Sequence, residues 1–212
     1  MFRPTLSNQS RRIVRKLSCV AGTTLAALGC SSAPAGAVTA AAAAPATCAG
    51  QTFSQPFLEY EDSRFYTLSP GGEFNGPSEG WTYTGGAGVI SGTRPSASTG
   101  GMLNLPAGSI ALSAPVCVTR AYPIARVWVR AATGTKKVKV YVSYAGTRSE
   151  TEPKAVGTLV RPSGIWTLSE FRLDPHLAGS EVAAHNVTFV FEAGAKTGET
   201  QLYDLYIDPR MR

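Results

Sequence analysis

Histidine is nearly absent from this chain, which has only His176 and His185 among 212 residues. The two lie nine positions apart, and they therefore lack the i, i+4 spacing of the helical zinc motif. A catalytic triad using one of them as a base stays open, because triad members come together in space and not along the chain. Both stand in a connection between predicted strands, where we expect exposed loop side chains.

Net charge is also nearly absent once the first residues are set aside. The whole chain has a formal charge of +6, but five of its twenty Lys and Arg lie within residues 1–16, and all fourteen Asp and Glu lie at or after Glu59. The fifteen remaining basic residues are balanced by the fourteen acids, so the positive surface of a nucleic-acid binder is missing. The cluster Lys136, Lys137 and Lys139 is typical of a solvated strand edge. We therefore expect no nucleic-acid partner.

Long apolar runs are missing as well, since nothing after residue 48 approaches the about 20 residues that span a bilayer. The first 47 residues follow the order of an export signal: a basic head, an apolar stretch from Leu17 to Gly29, and small residues up to Ala46. We predict a signal peptide and Ala/Pro-rich leader over 1–47 and a single secreted domain over 48–212. Ala27 to Cys30 resembles a lipoprotein cleavage site, so a lipid-anchored form held at the cell surface through Cys30 is the alternative.

Only two of the four cysteines remain outside that leader. Cys19 and Cys30 lie within it, which leaves Cys48 and Cys117. Two cysteines in an oxidising compartment allow one connectivity. The predicted Cys48–Cys117 disulfide would stabilise the fold by about 4 kcal/mol in the chain-entropy account. Two free buried thiols are the alternative.

Short alternating segments separated by Gly- and Pro-rich turns fill the rest of the chain. Val127 and Val129 face away from Trp128, and Val140 faces away from Tyr141. One apolar face per strand is typical of an antiparallel sheet packed on a second sheet. The predicted strands are Trp81–Thr84, Val89–Ser91, Met102–Leu105, Ile110–Ser113, Pro115–Val118, two around Val127–Val129 and Val138–Tyr144, Ala155–Val160, Trp166–Leu173, Val187–Ala193 and Gln201–Asp208. This pattern predicts an all-β antiparallel β-sandwich. The one predicted helix is a short segment at Leu177–His185.

Catalytic motifs are weak. Gly76–Gly80 matches the G-x-S-x-G nucleophile elbow, but a predicted strand follows Ser78 where the motif needs a helix. Gly86-Ala87-Gly88 also precedes a strand, and not the helix N-terminus that would bind a phosphate. We expect no enzyme, with a hydrolase using Ser78 or a carboxylate pair as a remote alternative.

A surface for a ligand is predicted where aromatic and charged residues share the faces opposite the valines. Trp128 and Tyr141 stand on predicted neighbouring strands, next to Arg130 and Glu192. An aromatic ring stacks on the apolar face of a sugar while charged groups bond its hydroxyls. The four residues are the predicted ligand contacts. Alternatively, Trp128 is covered by the Leu177–His185 connection or by the N-terminal segment.

Four short motifs resemble the landmarks of galactose-binding-like jelly rolls, the fold of many carbohydrate-binding modules. They are Gly71–Asn75, Gly80–Thr82, Val116–Val118 and Leu202–Pro209. The chain also resembles small uncharacterised secreted proteins of high-GC Gram-positive bacteria. The resemblance implies a jelly-roll sandwich and a non-catalytic module that binds cell-envelope or environmental glycan. The alternative is a structural or protein-interaction domain of the cell surface without a glycan ligand.

The same resemblance raises the question of a structural calcium ion. Such modules often hold calcium with an acid after the first-strand Phe and an Asp in the last strand. Asp204 matches the second position, whereas the first is Asn75, which has no charge. Because calcium prefers several carboxylates among six to eight oxygens, we expect no cofactor and no metal ligands, with calcium at Asn75 and Asp204 as the alternative.

Overall fold

Antiparallel strands carry more than half of the residues whose structure is known. The computed structural model describes residues 48–76, 80–119, 122, 124–133, 136–161, 164–173, 184–195 and 198–208. The strands are β1 (Phe53–Ser54), β2 (Tyr66–Leu68), β3 (Thr82–Thr84), β4 (Gly88–Thr93), β5 (Thr99–Leu105), β6 (Ile110–Leu112), β7 (Val116–Thr119), β8 (Ile124–Ala131), β9 (Lys136–Tyr144), β10 (Lys154–Arg161), β11 (Thr167–Arg172), β12 (Ala184–Ala193) and β13 (Thr200–Asp208). Short 3₁₀ turns lie at Leu58–Tyr60 and Arg148–Glu150.

The first sheet is organised around its long central strand, β13. On one side β13 pairs with β8, which in turn pairs with β11. On the other side the first half of β13 pairs with β5, followed by β4, and the second half pairs with β2, followed by β1. The long β13 therefore joins two separate strand pairs into one sheet.

The second sheet repeats this arrangement around β12. On one side β12 pairs with β9, and β9 pairs with β10. On the other side β7 lies beside the first half of β12 and β6 beside the second half, with β3 next to β6. Each sheet thus has a long central strand that two shorter segments share.

The core lies between the two sheets and is built from the predicted alternation. Val127 and Val129 of β8 and Val140 and Val142 of β9 are fully or almost fully buried in one cluster. Their neighbours Trp128 and Tyr141 are half-exposed on the outer faces. An all-β antiparallel sandwich is confirmed, because these strands bury one face and solvate the other.

The N-terminal segment is tied to the second sheet by a covalent bond. Cys48 and Cys117 form a disulfide with a Cα–Cα distance of 5.4 Å, which confirms the predicted pair. Nearby, the Gln51 side chain donates to Cys117 O (2.8 Å) and accepts from the Tyr122 hydroxyl (2.5 Å). These bonds place the segment before β1 against β7.

The predicted Leu177–His185 helix is wrong where the structure describes it. Ala184 and His185 begin β12, where they pair with Thr119 and Val118 of β7. His185 is 5% exposed and is not the exposed loop residue we expected. Pairing with a neighbouring strand satisfies its backbone, a long-range gain that local sequence does not encode. His176 and the rest of the segment lie outside the described residues, as do the predicted leader 1–47 and Cys30.

None of the helices in the part of the chain that the structure describes is long and apolar enough to cross a membrane.

Candidate functional site

A cleft of about 210 Å³ on the outer face of the first sheet brings four aromatic rings and two carboxylates together. We call it the aromatic cleft; its lining residues are Pro56, Glu59, Tyr60, Pro95, Ser96, Trp128, Tyr203, Asp204 and Tyr206. The volume lies below the about 300–1,000 Å³ typical of pockets for drug-sized ligands, so the cleft has room only for a small group.

An irregularity in β13 builds the floor of the cleft. Tyr203 pairs with Trp128 and Tyr206 with Arg126, so three steps along β13 match two steps along β8. The extra residue is Asp204, whose φ of 50° is in the left-handed region. Such a β-bulge re-aims side chains and often lies beside functional sites. Here it places two Tyr side chains and one Asp on the same outer face.

Trp128 forms the centre of the aromatic surface and is partly covered. The ring of Tyr60, from the first 3₁₀ turn, meets it edge-on at a centroid distance of 5.3 Å. Tyr60 itself is 49% exposed. The N-terminal segment therefore contacts Trp128, as one of our alternatives predicted, but leaves part of its ring open to the cleft.

Asp204 is an acid of the cleft whose pKa is shifted by its surroundings. Burial raises its pKa to about 6, and the negative charge of Glu73 acts in the same direction. A hydrogen bond from Tyr203 and the positive charge of Arg94 oppose this rise. The pKa of Tyr203 is raised in turn, mainly by burial and also by the negative charge of Asp204. A group with a pKa near 6 changes its charge within the range of mildly acidic environments.

The tip of the β4–β5 hairpin forms part of the wall of the cleft. Pro95 and Ser96 of this tip line it. Arg94, at the base of the tip, stacks its guanidinium on the Tyr203 ring at 4.6 Å from the centroid. Gly100 faces it on β5, where a Cβ would overlap the guanidinium. The hairpin is thus fastened onto the floor of the cleft.

The same guanidinium binds Asn75, one of the two residues of the alternative calcium site, together with two backbone carbonyl oxygens. Arg94 donates to Gly101 O (3.2 Å), to Glu73 O (3.5 Å) and to Asn75 Oδ1. Asp204 lies close enough to Arg94 and to Glu73 for the charges of both to shift its pKa. No group of three His, Cys, Asp or Glu side chains that could hold a metal occurs among the described residues. The residues present do not fit a calcium ion, because a cation of the chain already lies against these oxygens.

Arg130, a predicted ligand contact, lies on the same outer face as Trp128, but its guanidinium already binds other residues of the protein. Its Nε and Nη2 donate to Gln201 Oε1 at 3.0 and 2.5 Å. Its guanidinium also stacks on Trp166 at 4.6 Å, and Trp166 in turn donates to Thr93 O (3.0 Å). Burial lowers the pKa of Arg130. Arg130 therefore supports the face and is not among the residues that line the cleft.

Arg126, on the same face, is neutralised by two acids. It forms ion pairs with Asp62 (2.7 Å) and Glu170 (2.8 Å). Hydrogen bonds from Arg64 hold the pKa of Asp62 well below its usual range, and one from Tyr66 adds to this. This network fixes the segment that carries Tyr60.

Our prediction that Trp128 and Tyr141 lie on neighbouring strands is wrong. β8 pairs with β11 and β13, whereas β9 pairs with β10 and β12, so the two rings lie on opposite outer faces. Glu192 of β12 lies on the same outer face as Tyr141, and in the strand register it stands opposite Lys139 of β9. The physical reason is that consecutive strands can cross between the two sheets of a sandwich. No single site can therefore contain all four predicted contacts.

The outer face of the second sheet holds a larger groove of a different character. Its volume is about 320 Å³. The lining residues are Leu112, Pro115, Ser143, Ala145, Glu150, Pro153, Asn186, Thr188 and Val190. None of these residues carries an aromatic ring, so the groove lacks the stacking surface that the cleft has.

The motif match around Ser78 has no support in the described residues. Ser78 lies outside them. Trp81 is 5% exposed in the core, and strand β3 follows it. A nucleophile elbow needs a helix after the Ser, and the described residues from Gly80 onward lead into strand β3 instead.

Sequence reasoning missed most of the cleft. Tyr203 and Tyr206 were noted only as part of a fold motif, and Tyr60 was not considered. A signal did exist, because the buried residues Leu202, Leu205 and Ile207 are spaced by three and then by two. That break in the alternation marks a bulge and puts both Tyr residues on the outer face.

Comparison with known proteins finds similar structures but no matching sequence family. No protein-family model and no curated protein matches the sequence. One similar structure is the CBM22-1 and GH10 part of a Clostridium thermocellum endo-1,4-beta-D-xylanase complexed with xylohexaose (21% identity, TM-score 0.47). The match covers 66% of this chain and spans only 28% of that one.

Two further similar structures are single domains. The CBM22-2 xylan-binding domain of a Paenibacillus barcinonensis protein has 13% identity and a TM-score of 0.48, with 66% of this chain and 97% of that one covered. A cleaved adhesin domain of Lys-gingipain from Porphyromonas gingivalis has 13% identity and a TM-score of 0.47, with 66% and 96% covered. The structural neighbours thus include carbohydrate-binding modules, the class that the sequence motifs resemble. A likeness at this level says nothing about this chain's ligand, and the sandwich itself is established by the strand pairing.

Proposed function

We propose that this protein is a non-catalytic module that binds carbohydrate in the aromatic cleft. The observation that carries the proposal is the placement of Trp128, Tyr203 and Tyr206 beside Asp204 in one small cleft. Aromatic faces accept the C–H face of a pyranose, while a carboxylate and hydroxyls bond its edge. The proposed contacts are these four residues with Tyr60.

The cleft is built in advance of any ligand, which favours a binding role. The Arg94 stack holds Tyr203 from the side, and the Asp62–Arg126 pair holds the segment of Tyr60. A surface that is already ordered loses little conformational entropy when a ligand binds. We also propose that the protein acts outside the cell, since a disulfide such as Cys48–Cys117 persists in oxidising compartments.

Substitution of Trp128 tests the proposed site. On a glycan array, we expect the W128A variant to lose at least about tenfold of the signal of the wild-type protein, because the central stacking surface is gone. Trp128 is partly buried and packs against Tyr60, so the free energy of unfolding of the variant should fall by about 1–2 kcal/mol, less than the loss of a core Trp would cost. Tyr141→Ala, which removes a ring from the opposite face, is the matched control and should retain binding.

Two outcomes would contradict the proposal. A blank array for the wild type, together with a large loss of stability in W128A, would assign the aromatic residues to packing and favour a protein-interaction domain. Shortened glycan recovered after incubation would assign Glu59 and Asp204 to hydrolysis, since paired carboxylates beside a bound sugar are the machinery of glycosidases.

A further inference from the structure

The charged groups of the aromatic cleft are of one sign. Glu59 and Asp204 both line it, and none of its described lining residues is Lys or Arg. Glu73 adds a third acid close to Asp204. The ligand therefore meets carboxylates and aromatic rings, without an opposing cation in the lining.

The arginines around the cleft do not offer their charge to a ligand. Arg94 is stacked on Tyr203 and donates to backbone and amide oxygens of the 73–75 loop and β5. Arg126 is paired with two carboxylates. Arg130 is covered by Trp166 and bonded to Gln201. Each guanidinium is thus engaged by groups of the protein, although Arg126 Nε has no hydrogen-bond partner of its own.

We infer that the cleft takes an amino sugar, a pyranose ring with a free protonated amine. This inference rests on the proposed carbohydrate-binding function and names the class of sugar. A cation is attracted to the faces of Trp and Tyr rings, and this attraction grows where water is excluded. Glu59 and Asp204 add charge-assisted hydrogen bonds to the ammonium group.

The same groups select against related sugars. A uronic acid would bring a third negative charge beside Glu59 and Asp204, which costs free energy in a partly desolvated cleft. An N-acetylated sugar keeps the ring but loses the ammonium charge. Selectivity is thus expected for the amine over the amide and for the amide over the acid.

The state of Asp204 should make this selectivity depend on pH. The groups that face Asp204 are Tyr203, which hydrogen-bonds to it, Arg94, which favours its charge, and Glu73, which disfavours it. Below about pH 6 the carboxyl becomes neutral. Amino-sugar binding should then weaken, because one of the two lining charges is lost.

The inference is tested by calorimetry on the full chain with two oligomers of equal length. At pH 7 and low salt, we expect glucosamine oligomers to bind at least about tenfold more tightly than N-acetylglucosamine oligomers. The double variant Glu59→Gln with Asp204→Asn should reduce this preference to about twofold. Glu192→Gln, a carboxylate on the opposite outer face, is the matched control and should keep the wild-type preference.

The outcomes separate this inference from the function on which it rests. Equal binding of both oligomers, lost in W128A, would overturn the amino-sugar assignment and leave carbohydrate binding intact. Amino-sugar binding that survives both W128A and the Glu59 and Asp204 double variant would also overturn it. Binding of neither oligomer, nor of any glycan on the array, would overturn the proposed function itself.

Discussion

Asp204 combines three unusual properties at one residue. It is the extra residue of a bulge, it has a positive φ of 50°, and burial raises its pKa to about 6. Asp and Asn tolerate the left-handed region better than most residues. A charged carboxylate there costs stability that an amide of the same shape does not. The chain therefore keeps, at the floor of the cleft, a residue that its fold alone would not favour.

The Asp204→Asn variant is expected to change the pH dependence of stability. The folded pKa lies above the unfolded value of 3.8, so the folded state holds an extra proton between about pH 4 and 6. Wild-type stability contributed by this group is present below pH 4 and is lost as the pH rises through 6. With allowance for solvent screening, D204N should be more stable than wild type by about 2 kcal/mol at pH 7.

The difference between the two proteins should be smallest at pH 4, because Asp204 is then protonated in the folded state and partly protonated in the unfolded state. Urea unfolding at pH 4, 5, 6 and 7 measures it. A difference that is constant across this range would contradict a perturbed carboxyl in the folded protein.

The β4–β5 hairpin is the element that shapes the cleft. Its tip lines one wall, and its position depends on the contacts of Arg94 with Tyr203, Gly101 and Asn75. Hydrogen bonds from a charged donor contribute about 1.5–3 kcal/mol each before solvent exposure is considered. Only the tip depends on Arg94, because β5 also pairs with β13 and Trp166 donates to Thr93 O. One substitution can therefore loosen the tip.

Arg94→Ala is expected to loosen the tip of the hairpin and to lower the free energy of unfolding by about 2 kcal/mol. Hydrogen exchange should quicken at the amides of residues 94–101, and glycan binding should weaken because the wall formed by Pro95 and Ser96 moves. Arg148→Ala is the control, since its exposed pair with Glu152 should contribute less than about 0.5 kcal/mol.

The same arginine bears on metal dependence. Because its guanidinium already lies at Asn75 Oδ1 and the carbonyl oxygens of Glu73 and Gly101, EDTA should leave the Tm of the wild type unchanged. A Tm that falls with EDTA and recovers with calcium would contradict this assignment.

At the scale of the whole molecule, the disulfide closes a long loop across the sandwich. Cys48 and Cys117 are 69 positions apart, so the bond joins the N-terminal segment to β7 of the second sheet. The N-terminal segment also carries Tyr60 to the aromatic cleft on the first sheet. The bond therefore lowers the conformational entropy of the unfolded chain. In the folded protein it fixes the start of the N-terminal segment that carries Tyr60.

Removal of the disulfide by Cys48→Ala with Cys117→Ala is expected to lower the free energy of unfolding by about 4 kcal/mol. The reason is the larger conformational entropy of the unfolded chain once a loop of this length is open. Chemical denaturation of the oxidised wild type and the double variant measures the loss. A loss below about 1 kcal/mol would contradict the stabilising role.

Much of the architecture could be predicted from local pattern. The strand containing Val127 and Val129 and the strand containing Phe189 and Phe191 bury the residues that period-two alternation places inside. The disulfide followed from counting the cysteines outside the leader. β1 and β2 were missed, because β1 has only two residues and β2 buries two consecutive residues, Tyr66 and Thr67, so that neither shows alternation. The start of β12 was read as helix, because its pairing with β7 is a long-range contact.

The sequence by itself determined the class of fold, since alternation and turn residues act over a few positions and specify which side of each strand is buried. Only the tertiary structure decided where the exposed rings meet. Trp128 and Tyr141 look equivalent along the chain, yet the strands that carry them belong to different sheets. Tyr60, Trp128, Tyr203 and Tyr206 are distant in sequence and come together in one cleft. Strand pairing and a one-residue bulge bring them there, and both are set by packing across the whole sandwich.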